Sequence, residues 1–244
     1  MQVNYLCLAT SNKLNNILGS FMFMNISKFS QNLCVNLAIV VSLLALTSCS
    51  SAYYSAMEKV GIHKRDIMVD RVEAAKESQE EAQAQFKSAL EEMTALINFD
   101  GGELEEQYDV IQEQYEDSKE AAELVSSRIE KIEDVSEALF EEWQDEIEQI
   151  SSSNLKRQST TKLRETQRRY KTLIKSMHKA ESKMAPVLSA LKDNSLFLKH
   201  NLNAKAVGAL QGEMVSIKKD VSVLIKDMNA AIEQSQKFID MLEK

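Results

Sequence analysis

EEWQDEIEQISSSNLKRQSTTKLRET, residues 141–166, changes character at its midpoint. Before the serines it is acidic, with Trp143, Ile147 and Ile150 at steps of four and three. After them it is basic, with Leu163 on the same kind of spacing. Both halves carry helix-forming residues, and Ser151-Ser152-Ser153-Asn154 interrupts them with side chains that cap the start of a following helix. The stretch therefore predicts a helical hairpin. Folding back there sets Glu141, Glu142, Asp145, Glu146 and Glu148 beside Lys156, Arg157, Lys162 and Arg164. Opposite charges along neighbouring helices select partner and register more than they add stability.

The asymmetry extends outward from the serines. Residues 103–150 hold 18 acids and 3 bases, whereas residues 154–179 hold 9 bases and 1 acid. The same apolar spacing runs on in both directions. Leu104, Tyr108, Ile111, Tyr115, Ala122, Val125, Ile129, Ile132 and Leu139 precede the stretch, and Tyr170, Leu173, Met177, Met184, Leu188, Leu191 and Leu198 follow it. An earlier series comprises Met68, Val72, Ala75, Gln79, Ala82, Phe86, Ala89, Met93 and Leu96. A last one comprises Leu210, Met214, Ile217, Val221, Leu224, Met228, Ala231, Phe238 and Leu242. Steps of three and four sustained over many turns are the signature of a coiled-coil seam.

Turn signals divide the series. Asn98-Phe99-Asp100-Gly101-Gly102 and His200-Asn201-Leu202-Asn203 are two such breaks, the first because paired glycines accept backbone angles that other residues resist. The four segments 51–98, 103–150, 155–199 and 204–244 are near equal in length, which predicts an all-α fold: an elongated antiparallel bundle of about four long helices. A more open set of paired coils is the alternative. Gly61 is placed to interrupt the first helix near its base, and Pro186 to bend the third or force a restart.

The 244 residues carry 37 acids and 29 bases, one proline and six glycines. The acidic balance argues against a general nucleic-acid binder, which would show a basic face. Arg168-Arg169-Tyr170-Lys171 sets a ring among bases in the manner of a stacking site, but an acidic neighbouring helix neutralises it. No acid precedes Glu58, and the only bases before it are Lys13 and Lys28. Beyond residue 48 the body holds 27 bases and 37 acids, a net −10.

Residues 1–48 read as a leader. Met24 makes a better start than Met1; Lys28 then precedes the apolar stretch from Val35 to Leu46, too short to span a membrane comfortably. Leu46-Thr47-Ser48-Cys49 resembles the bacterial lipobox. That resemblance implies diacylglycerol on the Cys49 thiol, cleavage between Ser48 and Cys49, and acyl chains such as palmitate as the membrane anchor. Ser50, where an Asp often retains lipoproteins at the inner membrane, favours the outer one. An uncleaved anchor helix with an incidental cysteine is the alternative. Cys7 and Cys34 leave with the leader, so the mature chain has one cysteine and no internal disulfide.

Residues 49–65 form a membrane-proximal segment, and residues 66–244 the bundle. Tyr53 and Tyr54 suit a membrane interface, and Lys64 and Arg65 suit anionic headgroups. Equally, the tyrosines pack on the bundle base and Asp66 caps the main helix. His63, His178 and His200 lack ligand spacing, so no metal site is expected. No nucleotide loop and no nucleophile elbow occur, GALQG at residues 208–212 being closer to a packing feature. No catalytic residue and no cofactor are expected.

YYSAMEKVGIHKRDIMVDRV (53–72), INFDGGELEEQYD (97–109), LFEEWQDEI (139–147) and SLFLKHNLNAKAVGAL (195–210) resemble the bacterial domain-of-unknown-function family 2959 across almost the whole mature chain. The resemblance implies a helical, coiled-coil, lipoprotein-like envelope protein and brings no catalytic residues. The expectation is a non-enzymatic outer-membrane lipoprotein facing the periplasm, acting as scaffold, spacer or adaptor. A regulatory subunit of an envelope enzyme is the alternative. Its partners would be the membrane, through the lipid, and an unidentified envelope protein or cell-wall polymer, with self-association left open and nucleic acid excluded.

Overall fold

The computed structural model describes residues 49–97, 104–201 and 203–243. The leader, Ser48 and the 98–102 turn lie outside them. Among the described residues five helices follow one another: α1 (Cys49–Lys59), α2 (Lys64–Ile97), α3 (Leu104–Gln149), α4 (Ser153–His200) and α5 (Ala204–Leu242). The chain divides into two units between Ala56 and Met57. In the second, α2 packs on α3 and α5, and α4 packs on α3 and α5. Each long helix thus has two neighbours, which is the closed square of an up-and-down four-helix bundle. Among the described residues there is no strand.

Gly61 divides what the sequence reads as the first long helix into α1 and α2. Its φ of +84° is the left-handed conformation that glycine adopts without steric cost. The Ile62 N–H donates to the Met57 carbonyl at 3.0 Å, and the Gly61 N–H to that of Glu58 at 3.0 Å. Those two bonds close α1 with a Schellman motif and satisfy carbonyls that a helix end otherwise leaves bare. Two residues later α2 begins, and the Asp66 carboxylate reaches back to accept the His63 backbone N–H at 3.4 Å. Asp66 is thus the helix-capping residue of one of the two sequence readings.

The serine break behaves as the sequence predicts. Ser152 has an extended backbone, and its hydroxyl accepts the Leu155 N–H, capping α4. Asn203 performs the corresponding task for α5 by accepting the Lys205 N–H at 3.1 Å. Of the two outcomes expected at Pro186, the restart does not occur: α4 runs unbroken through it for 48 residues. Only one backbone bond is forfeited there, while Met184, Val187 and Leu191 on either side are buried and hold the helix against its neighbours.

Along α2 every seam position from Met68 to Leu96 is buried, Gln79 included. The corresponding lines of α3, α4 and α5 meet it, with Ile129, Ile132, Leu173, Met177 and Leu224 nearly inaccessible. Burying such a side chain stabilises by about 1.5–3 kcal/mol, so the seam holds the unit together. Polar contacts fix the register. Gln85 donates to Gln114 at 3.0 Å between α2 and α3, and Gln83 to Asn229 at 2.9 Å between α2 and α5.

The hairpin at residues 150–152 brings α3 and α4 together, but the expected ion pairs do not form. Among the described residues none of Lys156, Arg157, Lys162 and Arg164 pairs with Glu141, Glu142, Asp145, Glu146 or Glu148. Lys156 instead donates to the Glu148 carbonyl at 3.3 Å, and Glu142 takes Lys64 of α2. The helices lock through other groups. The Trp143 indole donates to Ser159 at 2.9 Å, and Phe140 meets Tyr170 edge-on with ring centroids 5.4 Å apart. Tyr170 is thereby committed to packing, and burial raises its phenol above the ordinary range.

Candidate functional site

Three helix ends and the first turns of α4 converge where α2 begins. Around that end lies a cavity of about 440 Å³, lined among others by His63, Lys64, Arg65, Glu142, Trp143 and Lys162. Its apolar wall is Leu139, Met241 and Leu242. Capping puts His63 at the mouth. The seam spacing of α3 turns Trp143 inward, and α5 ends with Leu242 across from them.

Lys64 organises the polar side. Its ammonium contacts Glu58 and lies 2.8 Å from Glu142, with only 11% of the side chain exposed. Burial works against the lysine charge, but the hydrogen bonds it donates to Glu142 and Glu58 outweigh it and raise its pKa. The shared lysine favours Glu58, whose carboxyl is lowered chiefly by that hydrogen bond. Glu142 is more deeply set; burial raises it, and the neighbouring Glu58 adds to the effect against the pull of Lys64. One cation between two acids makes a fixed knot tying the α1–α2 elbow to α3. Among the described residues it leaves Arg65 and Lys162, both exposed, as lining cations outside any ion pair.

The other sequence candidates fall as follows. Cys49 is the first residue of α1. Tyr53 is exposed and meets Tyr54 edge-on with centroids 5.3 Å apart, whereas Tyr54 is buried. Arg65 is exposed, and Lys64 is engaged within the protein. Sequence reading did not single out Trp143 or Glu165 as cavity residues, or connect Glu142 to Lys64. The Glu142–Lys64 contact joins residues 78 apart, and nothing local signals it.

A second polar cluster lies farther along α3 and α4. The His178 imidazole faces Glu181 through Nδ1 at 2.8 Å and Glu133 through Nε2 at 3.0 Å. Burial opposes its charged form, but the two carboxylates outweigh burial and hold the pKa above the ordinary 6.5. A raised folded-state pKa means that the clasp's contribution is fully present below the unfolded value of about 6.5, and fades as pH rises through the folded one. His178→Gln should therefore lower the melting temperature at pH 6 and have a shrinking effect toward alkaline pH. Melts of both proteins across that range, with an NMR titration of the imidazole, check this. A pH-independent difference would contradict the clasp.

Among the described residues no group of histidine, cysteine and acidic side chains has the arrangement of a metal site. No described helix is long and apolar enough to cross a membrane. A family model described as "Protein of unknown function (DUF2959)" matches residues 53–242. The chain belongs to this family. The match takes in all four bundle helices, the Gly61 elbow and every residue lining the basal cavity. No curated protein and no solved structure matches the chain.

Proposed function

We propose that this DUF2959 chain is a bacterial lipoprotein, held at the periplasmic face of the outer membrane through Cys49, whose helical bundle acts as a scaffold, spacer or adaptor in the envelope. The observation that carries the reading is Leu46-Thr47-Ser48-Cys49 at the end of an apolar run, with a charged helical chain following at once. Each acyl methylene placed in the bilayer contributes about 0.8 kcal/mol, so several chains make a durable anchor. Long capped helices with a continuous apolar seam suit a spacer, because their stability lies in the seam and their outer faces remain available to partners. Of the four side chains singled out in the membrane-proximal segment, Tyr53 and Arg65 are exposed and free to meet the bilayer surface, and Lys59, Val60 and Ile62 are exposed beside them.

Cells carrying Cys49→Ala should lose essentially all incorporation of a fatty-acid probe and accumulate unprocessed or released protein. Label persisting on the variant would end the lipoprotein reading. Crosslinking of the wild-type chain in intact cells should then capture structural envelope proteins or wall fragments. A single stoichiometric enzyme would instead favour a regulatory subunit.

A further inference from the structure

The charges that the hairpin leaves unpaired form two matched lines. On α4, Arg157, Arg164, Arg168, Lys171 and Lys175 are all exposed. They follow one another at steps of seven, four, three and four, which keeps them within about 40° of one line on a helix of 3.6 residues per turn. The buried Leu163, Thr166, Leu173 and Met177 lie on the opposite side, so this line is on the side of α4 turned away from the core. On α3, Asp134, Glu141, Asp145 and Glu148 are likewise exposed, at steps of seven, four and three. Among the described residues none of these nine side chains is in an ion pair.

The two lines also run side by side. Trp143 bonded to Ser159 and Glu133 bonded to His178 put the acidic line level with the basic one along the bundle. A flat anionic surface laid on the α3–α4 face would therefore meet the acidic line as well as the arginines, and repulsion would offset the attraction. A second copy suits the pattern better. Rotated about a two-fold axis parallel to the helices, it sets its α3 over the first copy's α4 at the same level, and its α4 over the first copy's α3. Both contacts then join opposite charges.

We infer that the α3–α4 face is a homodimer interface, two copies packing parallel with the basic line of each against the acidic line of the other. An antiparallel arrangement would instead lay α3 on α3, acid against acid. Farther along the same face lies a shallow groove in which Ala122, Ser126, Ser127, Ser182 and Ala185 are flanked by Glu123, Glu130, His178 and Glu181. The parallel two-fold leaves both α2 N-terminal ends pointing the same way. This inference goes beyond the proposed anchoring and does not depend on it.

The test uses the full chain in mild detergent, its protein mass read by sedimentation. One variant carries Arg164→Glu, Arg168→Glu and Lys171→Glu; the other carries Glu141→Lys, Asp145→Lys and Glu148→Lys. The wild type should be dimeric and dissociate on adding salt, and each variant alone should associate at least tenfold more weakly. A one-to-one mixture should recover the dimer, because every contact across that pair is again between opposite signs. Circular dichroism identifies any variant that fails to fold. In that event two differently tagged chains whose single substitutions are Arg164→Cys on one and Glu141→Cys on the other should crosslink to each other. A wild-type monomer, variants that dimerise like the wild type, a mixture that stays monomeric, or no crosslink would each overturn the interface. So would a monomer whose basic line instead binds vesicles rich in phosphatidylglycerol.

Discussion

Phe86→Ala should destabilise the bundle by about 3–5 kcal/mol, the range for emptying a fully packed aromatic site. Phe86 is inaccessible to solvent at the middle of α2. Its neighbours along the same seam are Ala82 and Ala89, which are also fully buried. Two alanines flanking one ring mean that the ring alone fills the space between α2 and the facing helices at that level. Removing it would leave three small residues in succession. The neighbouring layers hold the helices apart, through Gln83 on Asn229 and Gln85 on Gln114, so collapse into the gap would be incomplete. For a unit of this size the loss corresponds to a fall in melting temperature of roughly 10 °C. Phe86→Leu, which retains most of the volume, should cost about 1 kcal/mol. Denaturant melts of the two variants, compared at constant slope, check both figures. An alanine variant as stable as the leucine one would mean that the ring does not fill the core alone.

The seam was legible because a coiled-coil period specifies which side chains share a face before any partner is known. Met68 through Leu96 could be written down from spacing and proved buried without exception, even at the polar Gln79. Val135, Val187 and Ile239 are also buried, and lie one step off the line read from sequence. A helix in a closed square has two neighbours, and its apolar stripe is wider than a single seam. Gly61 and the Ser152 cap were legible for a local reason, since a left-handed residue and a side-chain cap act within four residues.

Charge was legible only in aggregate. The acidic and basic halves correctly foretold that α3 and α4 are neighbours, but not which atoms meet. Exposed lysines and arginines lose entropy when held in one geometry and gain little from a single partner in water, so adjacency does not produce pairs. Where burial makes a partner necessary, one is found from afar. Glu142 meets Lys64 across the α2–α3 contact, and Asp227, almost wholly buried, meets Lys179 at 2.7 Å. Such contacts join residues distant in sequence and become visible only once the helices are placed. The unpaired remainder is what the α3–α4 face presents to a partner.

Gln79→Leu should stabilise the same unit by about 1–3 kcal/mol, an uncommon direction for a core substitution. Gln79 is fully buried in the α2 seam, and neither its Oε1 nor its Nε2 has a hydrogen-bond partner among the described residues. An amide taken from water without a replacement bond bears its full desolvation cost, about that amount. Leucine is close in volume, favours helix at least as well, and continues the apolar line between Ala75 and Ala82. The gain should appear as a higher denaturant midpoint with unchanged slope, since the surface exposed on unfolding stays almost constant. Gln79→Ala would leave a void where leucine fills one, so it separates relief of the buried amide from any general tolerance of the site. The same polar residue also marks one level of α2 as different from all the others. With leucine in its place, α2 loses a penalty against sliding by one heptad on α3 and α5, as buried polar groups fix register in coiled coils. The leucine variant should therefore melt higher but show broader core-methyl NMR signals than the parent. A variant that melts lower would mean that the Gln79 amide is satisfied in solution, and that its burial stabilises the bundle.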